Sequence, residues 1–227
     1  VSGDLGYFWF GAYYQNVSMG ADYIYGAYFW DCYYQWIRLV NKIINKAGIV
    51  TAETDPTVLN ALGQAYAYRA MFYLDLARLY EPKDNIYAPV SDDIKGLTVP
   101  IVTEATTEEM AKNNPRVERE GMYEFIFSDL KMAEEYINAS ENTYTRPTLG
   151  SIYGLYARAY LELGAADDQV NKSAYEQAAK YARLAITTSG KTPLTESQWH
   201  DPNTGFNSGS SNNSWIWGLT LSSENAS

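Results

Sequence analysis

Apolar positions recur at three- and four-residue steps over most of the chain, the period of helices packed along one face. The clearest case is residues 55–80. Asp55 offers an N-cap, and Pro56 takes the first helical position, where its missing N–H costs nothing. Leu59, Leu62, Tyr66, Tyr73, Leu76 and Tyr80 form the predicted buried stripe, and Ala65, Ala67, Ala70 and Ala77 let neighbouring helices approach closely. Arg69 and Asp75 interrupt this surface. Charges in such a setting are expected to be held by hydrogen bonds, because an unpaired buried charge is costly.

The same reading predicts a helix over 30–46, where Trp30, Tyr34, Ile37, Asn41 and Ile44 share a face and Gly48 closes the end. Asn41 lies inside that stripe and is expected to hydrogen-bond the backbone of a neighbouring loop. A third long helix is predicted over 118–138, with Met122, Phe125, Ile126, Leu130, Ala133 and Ile137 on one face. A fourth, capped by Thr148, ends at Gly164, and a fifth opens on a Ser173/Glu176 capping box and ends before Gly190. Large and small residues alternate on these last two, Tyr153, Tyr156, Ala157, Tyr160 and Gly164 facing Tyr175, Ala178, Ala182 and Ala185, as in a tetratricopeptide hairpin. The second and third long helices are expected to form a looser hairpin, with the proline-rich connection 81–119 inserted and a short helix near 107–110 within it. A connection of that length is expected to be functional or folded over the surface. Beyond 191 the pattern dissolves into Gly, Ser and Asn, with a strand expected near 214–219. The fold class predicted is all-α, with tetratricopeptide-like hairpins and long loop insertions.

Composition narrows the function. The chain has 227 residues and a net charge of −10, which argues against a nucleic-acid footprint and against a polybasic membrane patch. Its one cysteine, Cys32, excludes an internal disulfide framework. No apolar run approaches the roughly 18 residues of a membrane span. Both ends read as cut, Val1 lacking a methionine and Ser227 following an apolar stretch; no signal peptide is recognisable. Aromatics are concentrated between Tyr7 and Trp36, where they make up 14 of 30 residues against 15% for the whole chain. These rings either pack the base of the helical domain or present a binding platform, since a ring face suits the C–H surface of a sugar.

Candidate catalytic chemistry is sparse. The single histidine, His200, is expected in a loop, and zinc clusters, phosphate loops and a nucleophile elbow are missing from the sequence. Residues 201–207 place oxygen ligands at alternate positions, as at the start of a calcium loop, but without its closing glutamate, so a plain turn is the expectation and no metal or cofactor is assigned.

Four stretches together resemble the N-terminal half of SusD/RagB-type outer-membrane nutrient-binding lipoproteins of Bacteroidetes. They are Trp30…Tyr34…Ile37…Asn41; Ala65-x-x-x-Arg69-Ala70-x-x-Tyr73-x-Asp75-Leu76-x-x-x-Tyr80; Tyr123-x-x-Ile126-x-x-Asp129-Leu130-x-x-Ala133; and Arg146-Pro-Thr148 leading into Ala157-Arg158-x-Tyr160-Leu161. Their order and spacing agree across about 30–188. Glu81 departs from the pattern, standing where the family usually has glycine. The resemblance implies a single helical domain over 1–227, with an aromatic loop-rich segment over 1–29, a scaffold over 30–190 and the start of a C-terminal part after that. It implies a non-catalytic, surface-exposed lipoprotein of the outer membrane, anchored through an N-terminal lipid that this chain does not carry. Such a protein captures oligosaccharides and hands them to a SusC-like TonB-dependent transporter. A peptide-binding member and a protein-interaction scaffold without small-ligand binding remain the alternatives. Composition and position nominate Trp9, Tyr13 and Tyr25 for stacking and Asp4 for hydrogen bonds to hydroxyls, whereas Trp30, Asn41, Arg69 and Asp75 are assigned to the scaffold.

Overall fold

The computed structural model describes residues 24–84, 89–165, 171–206, 208 and 213–219. Five long helices carry it: α1 (Ile24–Ala47), α2 (Pro56–Tyr80), α4 (Arg119–Tyr136), α5 (Leu149–Gly164) and α6 (Lys172–Ser189). The short helices α3 (Glu108–Lys112) and α7 (Glu196–His200) sit in the connections. The fold is all-α, and among the described residues no strand forms.

The helix boundaries follow from their caps. Asp55 Oδ1 accepts from the Thr57 N–H at 2.7 Å and Pro56 opens α2. Gly48 and Gly190 close α1 and α6 in the left-handed conformation, at φ 66° and 61°, where a side chain would be strained. The capping box proposed for Ser173 and Glu176 does not form. Asn171 caps α6 instead, accepting from the Ala174 N–H at 3.1 Å. Asparagine is at least as good a cap as serine, so two more residues of helix are gained at no loss.

α2 is the central element, packed against α1, α4 and, more lightly, α5. Its burial extends well beyond one stripe: Ala67, Arg69, Ala70, Phe72 and Leu74 are buried together with Leu62, Tyr73 and Leu76. Close approach is purchased with small residues. A Cβ on Gly63 would meet the Ile137 backbone nitrogen at 2.7 Å.

Arg69 ties three helices and a loop together. Its Nε and Nη2 donate to Asp129 Oδ2 and Oδ1 on α4 at 2.7 and 2.8 Å. Its Nη1 donates to Asn41 Oδ1 on α1 at 2.8 Å and to Glu104 Oε2 at 2.6 Å. The guanidinium lies 5.3 and 5.2 Å from the Tyr66 and Phe125 ring centroids. Burial works against the Arg69 charge, and the two carboxylates outweigh it, so the guanidinium is held protonated beyond even its ordinary range. Burial likewise pushes the Asp129 carboxyl up, opposed by the bidentate guanidinium.

Within the long connection, residues 89–118 fold against the helices as a strap. Leu97 pairs with Glu118 in an antiparallel bridge, and Thr98 and Val99 are fully buried. Asn41 Nδ2 and Tyr73 Oη both donate to the Val102 carbonyl, at 3.0 and 2.9 Å, and Tyr73 Oη accepts from the Val102 N–H at 2.7 Å. Tyr34 Oη donates to the Pro100 carbonyl at 2.6 Å. The loop partner expected for Asn41 is thus the carbonyl of Val102. Glu81, the departure from the family pattern, is buried and ion-paired with Arg119.

α5 and α6 form the hairpin anticipated from their alternation of large and small residues, around a column of rings. Tyr181 stacks on Tyr156 at 4.5 Å and on Tyr160 at 5.6 Å, and Tyr160 stacks on Phe127 of α4 at 4.4 Å. Gly164 faces the Tyr175 ring. Ala182 departs from the expected pattern: it is exposed, because Tyr181 turns the packed face by one position. Residues 214–219 also differ from the strand expected there. With no neighbouring strand among the described residues to pair with, they run irregularly, fixed by the Gly218 N–H to the Tyr144 carbonyl at 2.7 Å and by Trp217 against Tyr68.

Three outcomes follow. Arg69→Ala leaves Asp129 buried and uncompensated, so urea unfolding should show a loss of about 3–5 kcal/mol, partly recovered when Asp129 is also replaced by leucine. Gly63→Ala forces α2 off the Ile137 backbone and should cost about 1–3 kcal/mol in the same assay. Burial, then the Asp75 and Glu134 carboxylates, pushes Tyr33 and Tyr153 up to about 12, and burial raises Tyr34, Tyr73, Tyr123 and Tyr156 further. The folded state therefore binds these protons more tightly than an unfolded chain, whose tyrosines titrate near pH 10. Stability from this source is complete below about pH 10 and falls as pH rises toward 12, which circular dichroism along an alkaline titration will register.

Candidate functional site

A cleft of about 440 Å³ opens between the first half of α1, the end of α2 and the end of α5. Its apolar wall is the Phe29 ring and Leu79, exposed by 42% and 53%. Phe29 is held edge-on to Tyr28, with ring centroids 5.5 Å apart. The side chain of Tyr33, one turn further along α1, forms part of the lining, and its hydroxyl donates to Asp75 Oδ2 at 3.1 Å. Asp75 Oδ1 accepts from Arg158 Nη2 on α5 at 2.9 Å. Across the cleft, Arg78 Nε lies 2.7 Å from Glu162 Oε1, and Lys83 Nζ lies 3.7 Å from Glu162 Oε2. The cleft thus joins one exposed ring to a ring of paired charges. Tyr33 is one of the groups pushed up to about 12, chiefly by burial and then by Asp75, so at neutral pH it is a neutral donor.

The helix backbone explains this assembly. Phe29 and Tyr33 are four residues apart on α1, and Arg78 and Leu79 follow Asp75 at three and four on α2, so each set projects toward one side. Behind the cleft the Tyr33 ring continues into Trp36 at 5.1 Å and Phe72 at 5.8 Å, and Phe72 into Tyr68 at 5.9 Å. This aromatic ladder fixes the angle between α1 and α2.

Of the residues nominated from sequence, Asp4, Trp9 and Tyr13 lie outside the described residues. Tyr25 belongs to the first turn of α1, and its side chain is likewise outside the description. The aromatic concentration around α1 divides into two roles. Trp30, Tyr33 and Tyr34 pack against the core, while Tyr28, Phe29 and Trp36 stay 42–56% exposed. Trp30 meets Tyr80 edge-on at 5.1 Å, Asn41 and Arg69 are buried, and none of the three lines the cleft. Asp75, read as scaffold, holds Arg158 and also lines the cleft.

Nothing in the sequence marks Arg78, Lys83, Arg158 or Glu162 as site residues. Asp75 and Arg158 stand 83 positions apart, and no local spacing signals that they meet. Phe29 and Tyr33 carry a signal, through the aromatic concentration that runs into α1. Residues 201–206 form a turn: Asp201 Oδ1 accepts from the Asn203 and Thr204 N–H groups at 2.8 and 3.0 Å, and Oδ2 from the Thr204 hydroxyl. These bonds hold the Asp201 carboxyl below its ordinary range. His200 ends α7 and is not in a loop. Among the described residues no group of three or more His, Cys, Asp or Glu is arranged to hold a metal.

A family model described as "Starch-binding associating with outer membrane" matches residues 6–161, more than half of the chain. The chain belongs to the SusD-like family. It is 27% identical over 180 residues to SusD-like protein P2 of Formosa agariphila, covering 79% of this chain and 30% of that protein. Its fold is similar to that of a SusD-like carbohydrate binding protein from Bacteroides vulgatus, with a TM-score of 0.71 at 23% identity, covering 92% of this chain and 40% of that one. A SusD superfamily protein from Bacteroides thetaiotaomicron gives a TM-score of 0.63 at 20% identity, covering 90% and 40%. The chain therefore spans less than half the length of these relatives.

Proposed function

We propose that this chain is part of a non-catalytic, surface-exposed glycan-binding lipoprotein of the outer membrane, which captures oligosaccharides and delivers them to a SusC-like TonB-dependent transporter. The family description and the carbohydrate-binding relative supply the class. The observation that carries it to this chain is the α1–α2–α5 cleft, where an exposed aromatic face stands beside fixed polar groups. A sugar presents both an apolar C–H face and hydroxyl edges, so it needs a flat ring on one side and oriented hydrogen-bonding groups on the other. Phe29 supplies the ring, and Tyr33 with the paired charges supplies the edge. Asp4, Trp9, Tyr13 and Tyr25 are proposed as additional contacts, because the segment that contains them leads directly into Phe29 in sequence.

Phe29→Ala should weaken binding to the preferred glycan by about five- to tenfold, the usual worth of one stacked ring, in affinity electrophoresis and isothermal titration. The melting temperature should hardly move, because the ring is half exposed and outside the core. Unchanged glycan affinity in this variant would remove the cleft from the reading, and no affinity for any polysaccharide in a broad panel would remove the function.

A further inference from the structure

The hydrogen-bonding state of the cleft limits which glycan it can take. A neutral sugar is usually held by carboxylates that accept from its hydroxyls, and such carboxylates need open oxygens. In this cleft they are engaged. Asp75 uses one oxygen for Arg158 and the other for Tyr33. Glu162 directs one oxygen to Arg78 and the other toward Lys83. The carboxylate side chains are also the more sheltered groups, exposed by 21% and 24%, against 47%, 54% and 45% for Arg78, Lys83 and Arg158. The groups that face solvent are cations, donors without acceptor capacity: Arg78 and Lys83 line the cleft, and Arg158 is paired with the lining Asp75. Lys83 is the least committed of them, since its 3.7 Å approach to Glu162 is longer than a hydrogen bond.

A structural role accounts for part of this. Arg78 sits in the last turn of α2 and Lys83 follows the helix end, where cations complement the helix dipole. That role does not require α5 to add Arg158 beside the lining Asp75, in a chain whose overall charge is −10.

Building on the glycan-binding reading above, we propose that the α1–α2–α5 cleft selects an acidic glycan, with an anionic substituent of the sugar held by Lys83 and the outer edge of Arg78 while Phe29 stacks on the ring. The substituent is a uronate carboxylate or a sulfate ester. Both are acceptor-only anions that match ammonium and guanidinium donors.

The test is titration calorimetry of the protein with oligosaccharides of equal length from three sources: neutral maltooligosaccharides, polygalacturonate and carrageenan. Each is measured at low ionic strength and again at about 0.3 M salt. At least one acidic ligand should bind about tenfold tighter than the neutral one at low salt and lose that advantage at high salt. Tighter binding of polygalacturonate identifies the carboxylate, and tighter binding of carrageenan identifies the sulfate ester. Lys83→Gln should weaken acidic binding about tenfold and flatten its salt dependence, and Lys83→Arg should restore both. Lys83 is exposed, so these variants fold if near-ultraviolet circular dichroism matches the parent. Neutral ligands bound as tightly as acidic ones, or acidic affinity indifferent to salt and to Lys83→Gln, overturns the proposal while leaving glycan binding intact. Absence of binding to both acidic ligands overturns the proposal, and the reading beneath it falls with it only if the broad polysaccharide panel also shows no binding.

Discussion

The buried Arg69–Asp129 pair is the constraint on which the rest of the structure depends. A guanidinium in this position requires several acceptors at once, and they come from α1 and the 98–106 segment as well as from the bidentate carboxylate of α4. Hydrophobic burial alone would allow α1 and α4 to slide along α2 with little penalty. The fixed fork of Arg69 permits one register, because any other leaves buried charge unpaired. Asn41 extends the constraint, turning its carbonyl to Arg69 and its amide to Val102, so that the strap is placed by the same group that places the helices.

The position of the cleft follows from that register. Asp75, Arg78 and Leu79 are less than three turns along α2 from Arg69, and Phe29 and Tyr33 are about three turns or less along α1 from Asn41. Once Arg69 and Asn41 are joined, the distance between those two sets is set. The α4–α5–α6 ring column from Phe127 through Tyr160 to Tyr181 then places α5, and with it Arg158 and Glu162. Tyrosine suits both tasks. Buried rings such as Tyr73 fill the core while their hydroxyls meet the strap, and Tyr33 uses the same combination at the cleft.

Local patterns in the sequence disclosed much of this scaffold. The caps at Asp55 and Gly190, the helical faces around Ile37 and Met122, and the α5–α6 hairpin all depend on residues a few positions apart. The opening of α6 was misplaced because Ser173 and Asn171 are competing caps two residues apart, and the choice is settled by packing. Asn41 and Arg69 were recognisable as polar groups within apolar stripes, though not as partners of each other. The cleft was largely illegible, since it unites residues from three distant segments whose meeting depends on helix register. Phe29 lay within the aromatic concentration but was not distinguished from its neighbours. Trp30 packs inward and Phe29 outward, a difference set by the phase of α1 against Tyr80.

A glycan that enters the α1–α2–α5 cleft must shelter the backbone around it. The most direct measurement is hydrogen–deuterium exchange of the protein with and without a saturating bound oligosaccharide, resolved to peptides. Slower exchange is expected only in peptides covering 28–34, 75–84 and 155–164, with the Arg69-bearing centre of α2 already protected in both states. Slower exchange elsewhere with these three peptides unchanged would contradict glycan entry at this cleft.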